Sequence, residues 1–220
     1  MQDQKQTPAI VADPIGRIAD SACAGDLEGI RRWVRSGVDL TSLDHSGSTL
    51  LEVVIGQMAF IPDAPRYDVV AELLRCGADA RQLNADGVGS LFAAVLNMDT
   101  EMIRILLDAG ADPNAEKMDS EFESLYDWAE FDYRYEIWNV NLPESATDAN
   151  RSTEDAWLAH LDRCAVKYER HLPDHLHLLR QRGALSMAEL RNIAPTGAAQ
   201  PSQSQTVARK QADGRPKAQG

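Results

Sequence analysis

An all-α array of about four stacked helix–turn–helix units, a solenoid closed by an enlarged C-terminal helical cap, is the fold this sequence predicts, and three observations predict it. The first is a short motif that recurs: SGVDL at 36–40, CGADA at 76–80, AGADP at 109–113 and RGALS at 182–186. The second is the spacing of its glycines, at 37, 77, 110 and 183, which steps by 40, then 33, then 73. The third is the apolar periodicity that precedes each glycine, as in IRILLDAG, where residues three and four apart share one helical stripe. A single such unit has apolar surface on both sides, so it implies neighbours that cover it.

The elements run in order along the chain. Residues 1–13 are polar and read as a loose N-terminal stretch. The first unit, about 14–43, sets Ile18, Ala19 and Ala22 on one helix and Ile30, Trp33 and Val34 on a second, with Gly25 turning between them and Gly37 ending the pair. The second, about 44–83, opens at Asp44–Gly47, continues as STLLEVVIGQM and closes with VVAELLRCGADA. Its extra loop, AFIPDAPR, contains Pro62 and Pro65, which forbid a helix there and account for the longer step. The third, about 84–116, is the most regular. The fourth, about 117–186, begins at Ser124-Leu125-Tyr126, yet its closing HLHLLRQRGALS arrives 58 residues after Leu125, against 19 from Leu91 to Gly110. Roughly 39 residues are therefore inserted, with Ser152 placed to cap a further helix carrying Trp157, Leu161, Cys164 or Ala165, and Tyr168. From 195 to 220 the composition turns to Gln, Ser, Ala, Gly and Pro without periodicity, which predicts a disordered tail.

Composition narrows the function. The chain of 220 residues has a formal net charge of −12, and the segment after Ala194 holds four bases and one acid, so residues 1–194 carry about −15 by subtraction. Such a surface repels phosphate backbones and anionic lipid, which argues against nucleic acid and membrane as partners. Cys23, Cys76 and Cys164 stand far apart and never as CxxC, giving neither a disulfide framework nor a zinc site. No apolar run reaches signal-peptide or membrane-span length, and the expected compartment is the cytoplasm. In that compartment the sequon at Asn150 has no chemical meaning.

The repeated unit resembles the ankyrin repeat, whose signature runs G-x-T-P-L-H-x-A and then G-x-x-x-V-V-x-L-L-L-x-x-G-A-D-x-N-A. The second half is matched by Gly25 to Asp39, Val69 to Asp79 and Met102 to Ala115. In place of T-P-L-H the chain has Thr49-Leu50-Leu51-Glu52, Gly89-Ser90-Leu91-Phe92 and Glu123-Ser124-Leu125-Tyr126. The resemblance spans roughly 14–186 and is to ankyrin proteins of a bacterial type with an extended, non-consensus last repeat. It implies a non-catalytic cytosolic adaptor that binds another protein along turn tips and first helices. The altered T-P-L-H residues imply weaker ties between neighbouring units.

The candidate contact site is 119–138, DSEFESLYDWAEFDYRYEIW, with seven acids against Arg134 and seven of the chain's thirteen aromatics. Glu130, Asp132 and Glu136 are among those acids, and Tyr126, Trp128, Phe131, Tyr133, Tyr135 and Trp138 among those aromatics. Two apolar stripes result: Leu125, Trp128, Phe131 or Asp132, and Tyr135; and Phe122, Tyr126, Ala129 and Tyr133. One should pack on the third unit. The other either packs on the inserted helix through Trp157 and Leu161, as an atypical terminal cap, or forms a patch for a basic partner with the tyrosine hydroxyls at the surface. Turn tips at Asp44–Gly47, Asn84–Gly87 with Asp86, and Glu116–Asp119 are the further contact edges.

Other patterns are weak. His171, His175 and His177 read as surface histidines, with Pro173 breaking the helix between the first two and Asp174 capping the next one. Gly87-Val88-Gly89 lacks a preceding strand and a third glycine, and no nucleotide, hydrolase or zinc-protease motif is present. No cofactor or metal is expected. Three functions remain in view: an interaction module; a specific form of it, an inhibitor or immunity-type protein covering a basic toxin or enzyme; and a metal-dependent enzyme using the acidic cluster through Asp132.

Overall fold

The computed structural model describes residues 13–115 and 124–193. The expected N-terminal stretch before residue 13, the turn tip at 116–119 with the neighbouring Phe122, and the tail from 195 lie outside them. Among the described residues ten helices form: α1 (Pro14–Cys23), α2 (Leu27–Arg35), α3 (Leu50–Met58), α4 (Arg66–Arg75), α5 (Ser90–Leu96), α6 (Thr100–Asp108), α7 (Leu125–Trp138), α8 (Glu154–Lys167), α9 (Asp174–Gln181) and α10 (Met187–Ile193). Among the described residues there is no strand, only an isolated bridge between Leu83 and Gly89. None of these helices is long and apolar enough to cross a membrane.

The helices start and stop where local chemistry dictates. Asp26 and Asp99, 73 residues apart, cap α2 and α6 by accepting the N–H of Gly29 at 2.8 Å and Met102 at 3.1 Å. Pro65 and Pro173 take the same place before α4 and α9, with no side-chain cap. Asp174 is thus the first residue of α9 rather than its cap. Likewise Thr153, not Ser152, caps α8, by accepting the N–H of Ala156 at 3.1 Å.

At the other end, Gly37, Gly77, Gly110 and Gly183 adopt φ of 87°, 107°, 97° and 86°. In this left-handed conformation a helix can close on itself with two reversed hydrogen bonds. In the third unit Gly110 N–H donates to Leu107 O at 3.1 Å and Ala111 N–H to Leu106 O at 3.0 Å. The other three glycines make equivalent pairs, so the recurring motif is a helix stop.

Packing runs in two rows. Along the first, α1, α3, α5 and α7 contact one another in succession; along the second, α2, α4, α6 and α9 do. The partner of α7 is therefore α9, and α8 is the insertion between them. Core residues recur in register: Ile18 and Ala22, Val54 and Met58, Leu91 and Val95, and Leu125 and Ala129 are all buried. Burying a large apolar side chain is worth about 1.5–3 kcal/mol, so each interface between units contributes substantially.

Polar ties reinforce the rows, including one the altered T-P-L-H residues had put in question. Glu52 accepts from the Thr49 N–H at 3.2 Å while the Thr49 hydroxyl accepts the Glu52 N–H at 3.2 Å, a reciprocal cap. The same Glu52 carboxylate accepts Asn84 Nδ2–H at 2.9 Å from the next turn. The link between units is thus present with a different residue supplying it. Asn114 extends the pattern, donating to Gly183 O and accepting the Leu185 N–H, both at 2.9 Å. In the second row the buried Glu72 carboxylate accepts Arg31 Nε–H from α2 at 2.7 Å and Arg75 Nε–H at 2.9 Å. Hydrogen bonds from Arg75, then Arg31, hold its carboxyl far below the usual range.

The fourth unit differs from expectation in two further respects. Helix α10 is additional; it buries no residue of its own, and polar contacts hold it. The Met187 N–H donates to Asp127 Oδ2 at 2.9 Å, and Arg180 grips Glu189 with Nη1 at 2.6 Å and Nη2 at 3.0 Å. His175 is fully buried rather than superficial, with its ring 5.8 Å from that of Tyr133.

Burial of these two rings sets two outcomes for stability. Tyr133 is inaccessible to solvent and donates its hydroxyl to His171 O at 2.6 Å. Tyr133→Ala is expected to cost about 3–5 kcal/mol and Tyr133→Phe about 1 kcal/mol, measured by urea unfolding. Burial lowers the His175 pKa to about 4 from 6.5. A base with a depressed folded pKa leaves the unfolded chain binding the extra proton, so stability is full above pH 6.5 and falls toward pH 4. The expected slope approaches about 1.4 kcal/mol per pH unit, and the unfolding midpoint of His175→Leu should lack that component in the same window.

Candidate partner-binding face

Helix α7 carries most of the predicted contact residues, and its sequence gives it two different sides. Ser124 and Asp127 start it with a reciprocal cap. It has 14 residues, twice the length of α5 beside it, so its later turns continue past the end of that neighbour.

One side is core. Tyr126 and Tyr133 are 1% and 0% exposed, with Ala129 buried between them. Tyr133 lies against α9 through His175, and the Arg180 guanidinium sits 5.3 Å from the centre of the Tyr126 ring. Neither tyrosine leaves its polar end at the surface, so the burial of this stripe fits the packed cap of the two readings and not a patch with hydroxyls at the surface. The reason is the inserted segment: Leu158, Leu161, Cys164 and Ala165 of α8 are all buried and close the end of the stack. Trp138 is also packed rather than offered, half-buried with its ring edge-on to Tyr168 at 6.3 Å.

The other side is open. Phe131 is 44% exposed and Tyr135 52%. They belong to a run of four rings: Phe92 of α5 meets Trp128 edge-on at 6.2 Å, Trp128 meets Phe131 edge-on at 6.2 Å, and Phe131 stacks on Tyr135 at 6.3 Å. Edge-to-face and offset arrangements at these distances are attractive. The rings thus form an ordered ladder along the first row of helices, with one rung on the third unit and three on α7. Phe92 occupies the last position of the T-P-L-H motif in its unit, and no periodicity in the sequence joins it to Trp128.

Carboxylates flank the ladder. Glu130 is committed: it accepts Arg134 Nη2–H at 2.9 Å and Trp157 Nε1–H at 2.7 Å, and Arg134 lies 5.9 Å from the Phe131 ring centre. Asp132 and Glu136 have no ion-pair partner among the described residues. Burial, and then the charge of Glu136, raises the Asp132 carboxyl above its ordinary value. A cation placed there would reverse that cost.

The turn tips stand at the start of the first-row helices. Asp44 Oδ1 accepts the Ser46 and Ser48 N–H groups at 2.8 and 2.9 Å, and the Ala85 N–H donates to Gly47 O at 3.0 Å, which binds consecutive tips into one edge. Burial alone would raise the Asp44 carboxyl, but bonds from Ser46 and Ser48 outweigh it and hold it low. Asp86 is exposed, and its tip leads directly into α5. These two acids and the ladder therefore share one row of the array.

Among the described residues no group of three or more His, Cys, Asp or Glu is arranged to hold a metal ion. Cys164 is buried 3.8 Å from His160 Nε2, and burial pushes its thiol up, away from reactivity.

The sequence model of the ankyrin repeat family matches residues 86–117. None of the curated proteins matches the chain significantly. The matched segment is the regular third unit, the same segment that supplies Asp86, Phe92 and the α5–α6 pair to the stack. Ankyrin repeats are characteristically protein-interaction modules without catalysis of their own. That match falls inside an all-helical array of stacked pairs, so the chain carries an ankyrin repeat at residues 86–117.

Proposed function

We propose that this chain is a non-catalytic adaptor whose first-row face binds a polypeptide with a basic surface. The observation that carries this reading is the half-exposed aromatic ladder beside unpaired Asp132 and Glu136. Exposed aromatic rings cost free energy in water, and rings already ordered by their neighbours lose little entropy when a partner covers them. Tyrosine and tryptophan are also the residue types that most often dominate protein–protein binding energy. The surrounding negative charge selects for a cationic partner and speeds its approach.

A more specific form of the proposal makes the chain an inhibitor or immunity-type protein that covers a basic toxin or enzyme. The formal charge of −12 favours that form, since covering an enzyme's basic substrate groove requires a complementary acidic surface of comparable extent. Both forms use the same face and place it in the cytoplasm.

Phe131→Ser/Tyr135→Ser in the full chain tests the reading. Both side chains are surface residues, so the unfolding midpoint should move by less than about 1 kcal/mol. Affinity cross-linking from the native cell at about 0.15 M salt should recover a basic polypeptide with the wild-type chain. The double variant should lose it by tenfold or more, and about 0.5 M salt should weaken it through screening. Recovery of the same polypeptide in equal amount by both chains, or recovery unaffected by salt, overturns the proposal.

A further inference from the structure

The chain leaves the described residues close to the ladder. Helices α7 and α10 stand across one cleft of about 570 Å³, with Glu130 in the wall given by the first and Asn192 in the wall given by the second. Phe131 follows Glu130 directly, and Arg134, bonded to Glu130 and 5.9 Å from the Phe131 ring centre, joins the cleft rim to the rings. Ile193, exposed at the end of α10, is the last described residue, and 27 residues of sequence follow it.

Those residues are opposite in charge to the body they leave. Beyond Ala194 stand Arg209, Lys210, Arg215 and Lys217 against the single acid Asp213, a balance of about +3 where residues 1–194 carry about −15. All four bases fall within the nine positions 209–217. Sixteen positions separate Arg209 from Ile193, a reach of up to about 55 Å, whereas the 14 residues of α7 measure roughly 21 Å. The basic stretch can therefore arrive at any rung of the ladder.

The ladder face has open places for such residues. Among the described residues no cation lies over the Trp128 or Tyr135 ring, although Trp157 and Tyr126 each have an arginine against them. Asp132 and Glu136 likewise have no ion pair among the described residues. A guanidinium lies flat on an aromatic face while its N–H groups still reach a carboxylate, so one residue type meets both needs. Tethering decides between this segment and the same segment of a second copy, because a ligand on so short a connection meets its site at an effective concentration on the order of millimolar.

We propose that the ladder face seats the chain's own C-terminal segment around Arg209–Lys217, a tethered stand-in that the basic partner must displace. The seat follows from the half-exposed rings, the place where α10 ends and the charge of the segment. Its role as a competitor rests on the adaptor reading above.

The test compares the full chain with the full-length variant Arg209→Gln/Lys210→Gln/Arg215→Gln/Lys217→Gln. The indole N–H resonance of Trp128 reports on the ladder, and that of Trp33 in α2 is the reference. At low salt the Trp128 resonance should differ between the two chains while Trp33 does not, and the difference should vanish at about 0.5 M salt. Dilution should leave it unchanged. The defined probe is the synthetic peptide of residues 203–217, capped at both ends. It should titrate the Trp128 resonance of the quadruple variant and bind the wild-type chain about tenfold more weakly, because there the site is already filled. Adding Phe131→Ser/Tyr135→Ser to the quadruple variant should abolish peptide binding.

Identical Trp128 resonances in the two chains, equal peptide affinity for both, or binding indifferent to the ladder substitutions overturns the proposal. A difference that disappears on dilution assigns the segment to a second copy and overturns it as well. The quadruple variant should also recover more of the cellular partner than the wild-type chain. If the two recover it equally while the ladder variant loses it, the competitor proposal falls and the adaptor reading stands. If the peptide binds as described and the ladder variant keeps its cellular partner, the adaptor reading falls and the seat stands as a contact within the chain.

Discussion

A helical hairpin has apolar surface on two sides, and this constraint governs everything else in the molecule. Interior units satisfy it with each other, but the first and last have a neighbour on one side only. The two ends meet the problem differently. Helix α2 buries only Gly29 and Ile30 and turns Arg32 and Arg35 outward, so its outer face is polar and needs no cover. The C-terminal end keeps large side chains, Tyr126 and Tyr133, and covers them with an additional helix. The insertion that made the fourth unit irregular is therefore what allows its core to be larger than those of the others.

That choice has consequences for the surface. A helix of 14 residues cannot face α5 along its whole length, because α5 has only seven. Its later turns extend beyond the neighbour, and Phe131 and Tyr135 stand on the part so uncovered. The stripe for which the sequence left a packed cap and a contact patch open is buried at Tyr126, Ala129 and Tyr133, while the other stripe, expected to pack on the third unit, is exposed at its outer end. Tyr133 and Tyr135, two positions apart, fall on opposite sides of that division.

Features legible in the sequence were those that obey a period or a stereochemical rule. The four glycines marked helix stops because only their φ allows the reversed hydrogen bonds. The longer step between the first two of these glycines was traceable to Pro62 and Pro65. Missed features depend on contacts between distant segments. Helix α10 has only seven residues and buries none of them, and its ties to Asp127 and Arg180 join residues 60 and nine positions apart. Glu52 looked like the loss of a linking residue, since nothing in the chain shows that Asn84 comes within 2.9 Å of it. His175 alternates with leucines in HLHLL, and its burial is decided by Tyr133 across the fourth unit.

Charge distribution completes the physical picture. Along the second row the acids are largely spoken for: Glu28 and Glu72 with Arg31, Glu101 with Arg104, Asp99 with Arg66, Asp108 with Arg182. The exposed pairs among these add little stability, about 0–1 kcal/mol each, but they balance charge on that side. Around α7 the balance differs. Asp132 and Glu154 are partly buried, lack ion pairs among the described residues, and both have carboxyls raised by that burial. A carboxyl raised by burial weighs against the folded state when it is charged, the opposite of the contribution made by Glu72. The net negative charge of the chain thus acts where it is least compensated, and an incoming cation would relieve at that place a strain the isolated protein carries.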